Sequence, residues 1–263
     1  MLSVVIPAFN EWAYTEKCIS SLFNDQHRPF YEMIVIDNHS TDSTHEALKK
    51  LVEQVNQTPQ GDHLQIITNP ENHCVAHAWN QGLSASTGEY VAILNNDIIV
   101  PDGWMDGVLF SMKQFQLSLA SPFPVEGMEF SKFSAWAGAF QTRNRNQIWK
   151  NTASFCAFVL HRSLYEKIGG FDENFRIGGY EDTDYLYKLR KNGLSHATVG
   201  ASVVYHFGSQ TMGQFKKRGD LHVSHNRTYF IKKWGEDPSK KDASFPARLI
   251  RRWRKWKTRF GYF

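Results

Sequence analysis

The stretch Tyr90-Val91-Ala92-Ile93-Leu94-Asn95-Asn96-Asp97-Ile98-Ile99-Val100-Pro101-Asp102-Gly103-Trp104 decides how the rest of the chain is read. An apolar run, Val91 to Leu94, delivers the polar cluster Asn95, Asn96 and Asp97, and apolar residues resume at Ile98. A buried strand has no reason to end in a lone carboxylate unless something there is cationic or donates hydrogen bonds. Asp97 is therefore the first candidate for a metal or ligand contact. The competing reading is an Asp that caps its own turn, flanked by Asn residues that suit the same backbone. Residue types alone leave both open.

Working outward toward the N-terminus, residues 3–7 read as a strand and 11–23 as a helix with Cys18, Ile19, Leu22 and Phe23 on one side. Residues 33–36 form a second strand ending at Asp37-Asn38. Ser40-Thr41-Asp42 can cap a helix in which Ala47, Leu48, Leu51, Val52 and Val55 recur at helical spacing. After a turn-rich gap, 64–68 is a third strand and 73–85 a third helix, and Gly88 leads into the strand before Asn95. Alternating strands and helices with short connections predict an α/β fold, with a Rossmann-like, mostly parallel central sheet flanked by helices. Ligands in such sheets lie at the carboxyl ends of the strands. Residues 7–11, 37–40 and 95–97 should then share one rim.

Beyond Met105 the pattern changes. A helix is expected over 110–118, irregular chain or strand over 122–133, and a strand over 151–161. A short helix over 162–168 is stopped by Gly169-Gly170. A loop over 171–180 contains Gly178 and Gly179, a helix spans 181–192, a strand 199–206 and a helix 222–234. The expected organisation is one domain over 1–210, divided where the pattern changes into halves 1–104 and 105–210. A C-terminal helical extension over 211–263 follows.

The 263 residues suffice for a full core, and 41% apolar with 21% charged residues suit a soluble globular protein. Cys18, Cys74 and Cys156 have neither metal-site spacing nor a disulfide framework, so a reducing, cytoplasmic setting is expected. The opening residues read as a strand rather than a leader, and no apolar run has the length of a bilayer span. Seven of the 30 Lys and Arg residues lie between Arg248 and Arg259, against 26 acids in the whole chain. The body is thus mildly acidic and the tail basic, which argues against nucleic acid as a partner. In that tail Leu249, Trp253, Trp256 and Phe260 fall on one helical stripe. Residues 248–260 could lie on an anionic membrane, the inner face of the cell membrane, or pack that stripe on the body.

Four constellations carry chemistry. Asp97 could hold Mg2+ or Mn2+ that is otherwise bound by substrate phosphates, because neutral Asn95 and Asn96 add no charge. Asp37 could accept a hydrogen bond from a base or ribose. No glycine-rich phosphate loop follows the first strand, so a phosphate must be held another way. Glu181, Asp182 and Asp184 follow two glycines, and one of these acids could be a general base; acids in a first helical turn also need no function. His206, at a strand end, could join Asp97 on a metal, or be an ordinary structural histidine.

With these residues in view the chain resembles the inverting nucleotide-sugar glycosyltransferases of family 2, which have the GT-A fold. Ser3 to Glu11 is similar to that family's opening motif and Val35 to Asp42 to its second. Asn72 to Asn80, Gly82 and Gly88-Glu89-Tyr90 resemble the approach to the metal motif, and Leu94-Asn95-Asn96-Asp97 takes the place of Asp-x-Asp. Gly169 to Glu173 and Tyr180 to Asp184 resemble the acceptor-side motifs. The resemblance implies base contact by Asp37 and a nucleotide-sugar pocket shaped by Pro7, Ala8, Phe9, Glu11, Asn38, Asn72, Asn80, Asn95 and Asn96. It implies that 1–104 and 105–210 are the nucleotide-binding and acceptor-binding halves of a catalytic domain. It implies Mn2+ or Mg2+ on Asp97 and His206, and Asp182 as the general base. Trp136, Arg143, Trp149, Tyr180 and Glu181 are the expected acceptor contacts, toward a saccharide or lipid-linked saccharide. The form with two asparagines resembles bacterial surface-polysaccharide enzymes, rhamnosyl transferases among them. A catalytically inactive nucleotide-sugar or glycan-binding domain on the same scaffold is the alternative.

Overall fold

The computed structural model describes residues 2–26, 30–55, 63–208 and 222–238. Its first half alternates β1 (Leu2–Ala8), α1 (Trp12–Asn24), β2 (Phe30–Asp37), α2 (Thr44–Val55), β3 (His63–Thr68), α3 (Val75–Ala85) and β4 (Tyr90–Leu94). The four strands pair in parallel in the order β3-β2-β1-β4, as the alternation predicts. Successive residues of β1 serve opposite faces, as the pleat requires. Val4 and Ile6 join Cys18, Ile19 and Leu22 of α1 on one side. Val5 joins Ala78, Trp79 and Leu83 of α3 on the other. Each fully buried Ile or Leu in these layers contributes about 1.5–3 kcal/mol. Close approach of α3 to β1 requires Gly82, where a Cβ would meet Val5 Cγ1 at 2.1 Å.

The second half comprises β5 (Ile98–Ile99), α4 (Trp104–Phe115), β6 (Leu119–Val125), a 3-10 turn (Phe130–Lys132), α5 (Phe133–Arg143), β7 (Ile148–Lys150), β8 (Ala157–His161), α6 (Arg162–Ile168), α7 (Glu181–Lys191) and β9 (His196–His206). A further helix, α8, spans Val223–Trp234. β8 pairs antiparallel with β4 and β6, and β9 runs parallel to β6 but antiparallel to β5 and β7. The parallel core therefore continues into antiparallel neighbours, and the sheet as a whole is mixed.

Three segments depart from expectation. α4 begins at Trp104 because Gly103, left-handed at φ 67°, turns the chain there and donates its N–H to Asp25 Oδ1 at 3.0 Å. Residues 119–125 form a strand despite Pro122 and Pro124, with its register against β9 shifting between Pro122 and Phe123. β8 pairs with β6 only at Leu119 and Ala120, so the later residues need no donor on that side. α5 occupies a region with no expected helix. Of the C-terminal extension, α8 is described, while the basic stripe of residues 248–260 lies outside the described residues. Among the described residues no helix is long and apolar enough to cross a membrane.

Candidate active site

The loops after β1 and β2 are stitched together before any ligand is considered. Asn10, left-handed at φ 57°, accepts the Thr41 N–H on Oδ1 at 2.7 Å, and its own N–H donates to Ser40 Oγ at 2.8 Å. The Glu11 N–H donates to Asp42 Oδ2 at 2.8 Å. Asn96 Nδ2 donates to Thr15 Oγ1 of α1 at 2.9 Å. Asn38 donates to Asn72 Oδ1 at 2.9 Å and accepts from Asn69 Nδ2 at 2.9 Å, which fixes the loop before α3. Each buried amide here has its partners, as a dry polar network requires.

These loops wall a cavity of about 540 Å3 at the carboxyl ends of the strands. Pro7, Ala8 and Phe9 line it from β1, Asn38 and Asn72 from the adjoining loops, and Asn95, Asn96 and Asp97 from the end of β4. Glu181 and Asp182 enter from the start of α7 and His206 from the end of β9. Part of each sequence-derived rim cluster thus shares one surface.

Strand pairing sets the metal-type end. Ile98 pairs with His206 across β5 and β9, so Asp97 stands beside the imidazole, with Oδ1 3.2 Å from Nε2. The other ring nitrogen, Nδ1, lies 2.6 Å from Glu126 Oε1. Burial disfavours charge on His206, but the Asp97 and Glu126 carboxylates outweigh it and push its pKa up to about 11. Cys156 shares the wall, and burial pushes its thiol up, so it offers no ready thiolate. Once a divalent ion displaces the proton on Nε2, the His206 imidazole and the Asp97 carboxylate suit an ion that completes its shell with other oxygens. Among the described residues no group of three or more His, Cys, Asp or Glu could hold an ion unaided.

A second part of the lining is acidic. Glu181 is buried, with Oε2 lacking a hydrogen-bond partner among the described residues. Burial, and then the Asp182 charge, push its carboxyl up to about 8. Burial also raises the Asp182 pKa, although Asp182 Oδ1 accepts the Thr183 N–H at 2.6 Å. Asp184 points elsewhere: it accepts from Trp234 Nε1 at 2.7 Å and pairs with Lys233 at 2.7 Å.

Several expected contacts lie off the cavity wall. Asp37 is buried beneath it, with Oδ1 accepting the Ser40 N–H at 2.9 Å and Oδ2 2.7 Å from His45 Nδ1; its neighbour Asn38 forms the surface. Glu11 caps α1. Asn80 is not part of this wall: its Nδ2 donates to the Phe171 carbonyl at 2.9 Å and its Oδ1 accepts the Phe171 N–H at 2.8 Å, tying down the loop after Gly169-Gly170. Trp136 of α5 stacks on Phe140 at 4.8 Å and Trp149 of β7 packs on Phe123 at 5.2 Å, both half-buried against the cluster around Phe123, Phe133 and Phe140, while Arg143 is an exposed residue of the last turn of α5. Tyr180, left-handed at φ 77°, packs toward Phe230 at 5.8 Å. Conversely, Glu126, His73, Trp79 and Phe155 line the cavity without having been expected there. Glu126 follows β6, so the strand-end rule would have found it had the two prolines not disguised that strand.

Fold and site together define a GT-A-type transferase scaffold. Residues 3–169 match glycosyl transferase family 2, and the chain belongs to that family. Residues 139–210 also match the N-terminal domain of galactosyltransferase. Glycosyltransferase AglE of Haloferax volcanii is 22% identical over 233 residues, covering 84% of this chain and 73% of its own. TuaG of Bacillus subtilis, a glycosyltransferase provisionally named for teichuronic acid biosynthesis, is 30% identical over 165 residues, 61% of each chain. Among solved structures, the mannosyltransferase PcManGT from Pyrobaculum calidifontis, in complex with GDP-Man and Mn2+, aligns with a TM-score of 0.62 at 21% identity, covering 88% of this chain and 64% of that one. GalNAc-T7 with UDP, GalNAc and Mn2+ aligns at 0.64 and 17% identity, covering 79% and 44%. At such identities the structural likeness is one of fold.

Proposed function

We propose that this chain transfers a sugar from a nucleoside-diphosphate sugar to a hydroxyl of a glycan or lipid-linked acceptor in surface-polysaccharide assembly, inverting the anomeric carbon. The carrying observation is that Asp97, His206 and Asp182, distant along the chain, line one cavity of about 540 Å3. Pro7, Ala8, Phe9, Asn38 and Asn72 would receive the nucleoside. Asp37, buried behind Asn38, would act on the base indirectly, by fixing the Ser40 backbone and the His45 ring. Asp97 and His206 would hold Mn2+ or Mg2+, and when bound such an ion offsets the charge that grows on the departing diphosphate.

Chemistry at the sugar falls to Asp182. Its carboxylate accepts the proton of the acceptor hydroxyl as that oxygen bonds to the anomeric carbon. The bond to the diphosphate oxygen breaks on the opposite face, and its electron pair leaves with the nucleoside diphosphate. A carboxyl raised by burial is a better proton acceptor than one at its ordinary value. Glu181, still protonated near neutral pH, can donate a hydrogen bond in the same space. The Leu94-Asn95-Asn96-Asp97 form and the relatives' names support a polysaccharide setting, and a rhamnosyl donor is one member of that set. The experiment is a panel of UDP-, GDP- and dTDP-sugars with purified protein and Mn2+, read by release of nucleoside diphosphate. Release from one donor class supports the reading; binding without release would assign the chain to inactive nucleotide-sugar recognition.

A further inference from the structure

We infer that Asn226 is a positioning residue, holding residues 176–179 in the shape that presents Asp182 to the cavity. This rests on the reading of Asp182 as the base. Asn226 sits on α8, beyond both matched segments, which end at residues 169 and 210. It is fully buried at 0% exposure. Its Oδ1 accepts the Arg176 N–H at 3.0 Å. Its Nδ2 donates to the carbonyls of Arg176 at 3.0 Å and Gly179 at 2.9 Å, with Gly178 at 3.3 Å sharing a proton. One amide thus bonds three residues, Arg176, Gly178 and Gly179, across a four-residue stretch.

The clamped segment needs a clamp. Ile177 is left-handed at φ 56° and Tyr180 at φ 77°. That conformation is unfavourable for a β-branched side chain and persists only where its surroundings over-determine it. The second restraint comes from α3, whose Val75 N–H donates to the Ile177 carbonyl at 3.0 Å. Ile177, Gly178 and Gly179 line the cavity, and α7 with Asp182 begins directly after Tyr180. Misplacing a catalytic group by about 1 Å can lower turnover about 10²-fold.

α8 has other anchors, so removing Asn226 need not release the helix. Lys233 Nζ reaches Asp172 Oδ2 at 2.5 Å and Asp184 Oδ1 at 2.7 Å, and Phe230 packs on Tyr187 at 5.0 Å. These contacts secure the helix, while Asn226 faces the loop.

The test compares Asn226→Ala and Asn226→Asp in the full chain, alone and combined with Asp182→Asn. Readouts are thermal unfolding, affinity for UDP and GDP with Mn2+, and kcat for nucleoside-diphosphate release from the donor that the panel identifies. Folded Asn226→Ala should keep its nucleotide affinity within about twofold and lose roughly 10- to 10²-fold in kcat. In the Asp182→Asn background the same change should cost less than about threefold, because the group it positions is already gone. Asn226→Asp keeps an acceptor for Arg176 but sets a carboxylate against three carbonyls, and should also lose turnover; it decides the matter if the Ala variant does not fold. Unchanged kcat in a folded variant, or an equal loss in both backgrounds, overturns the inference. Full activity of Asp182→Asn alone would instead overturn the base assignment.

Discussion

Glu126 Oε1 lies 2.6 Å from His206 Nδ1, and the opposite ring nitrogen lies 3.2 Å from Asp97 Oδ1. A carboxylate behind a histidine fixes which nitrogen offers its lone pair to a metal. Glu126→Ala should therefore weaken Mn2+ binding in the presence of UDP or GDP about 10- to 100-fold, measured by calorimetry or Mn2+ resonance. Asp97→Ala should abolish the Mn2+ dependence of nucleotide binding. Wild-type nucleotide affinity that is unchanged by chelator would reject the metal at this position.

Glu181 predicts a pH dependence of stability. Its carboxyl ionises at about 8 in the folded protein, against an ordinary value of 4.5. Between these values the folded chain keeps a proton that the unfolded chain has released. The contribution is full below pH 4.5 and is lost as pH rises through about 8. Glu181→Gln should flatten this decline, and near pH 8.5 it should melt above wild type by roughly 2–4 °C for each kcal/mol relieved. Melting curves that fall identically with pH would contradict the buried-acid assignment.

Gly107 tests the packing of α4 on β9, the strand that carries His206. A Cβ there would stand 2.0 Å from the Ala201 carbonyl oxygen, which is backbone and cannot swing aside. Gly107→Ala should lower stability by about 1–3 kcal/mol, although alanine is intrinsically better in a helix by about 1 kcal/mol. A urea midpoint at or above wild type would show that the two elements can separate without cost.

The basic stripe of residues 248–260 carries a separate expectation. Anionic liposomes should retain the intact chain more than a chain ending near Pro246, and more so at low salt. Equal partitioning would remove the membrane surface as a partner.

Much of this architecture was readable because parallel α/β units announce themselves locally. Apolar runs over 3–7, 33–36, 64–68 and 91–94 gave the first four strands and placed the polar ends of the first, second and fourth on one rim. The same reasoning left β6 undecided between strand and irregular chain and missed its start at Leu119, because Pro122 and Pro124 imitate a loop; their tolerance depends on where β8 stops pairing, which is a property of the sheet and not of the segment. It also lost α5, whose Trp136 and Phe140 carry no clear stripe. Residue type singled out Asp97, Asp182 and His206, which the fold brings to one cavity. It could not tell Asn80, turned to a neighbouring loop, from Asn72, which lines the cavity. Nor could it reveal Asn226, whose partners are backbone groups about fifty residues away. Hydrogen bonds to distant backbone leave no mark on local composition.

The account stands on Asp182 performing proton transfer in a site that binds donor without it. The most direct measurement is Asp182→Asn, with nucleotide affinity and sugar transfer measured on the same preparation. Affinity for the Mn2+–nucleotide complex should stay within about twofold, while transfer should fall about 10²-fold or more. Transfer at the wild-type rate in the folded variant would contradict the account at its centre.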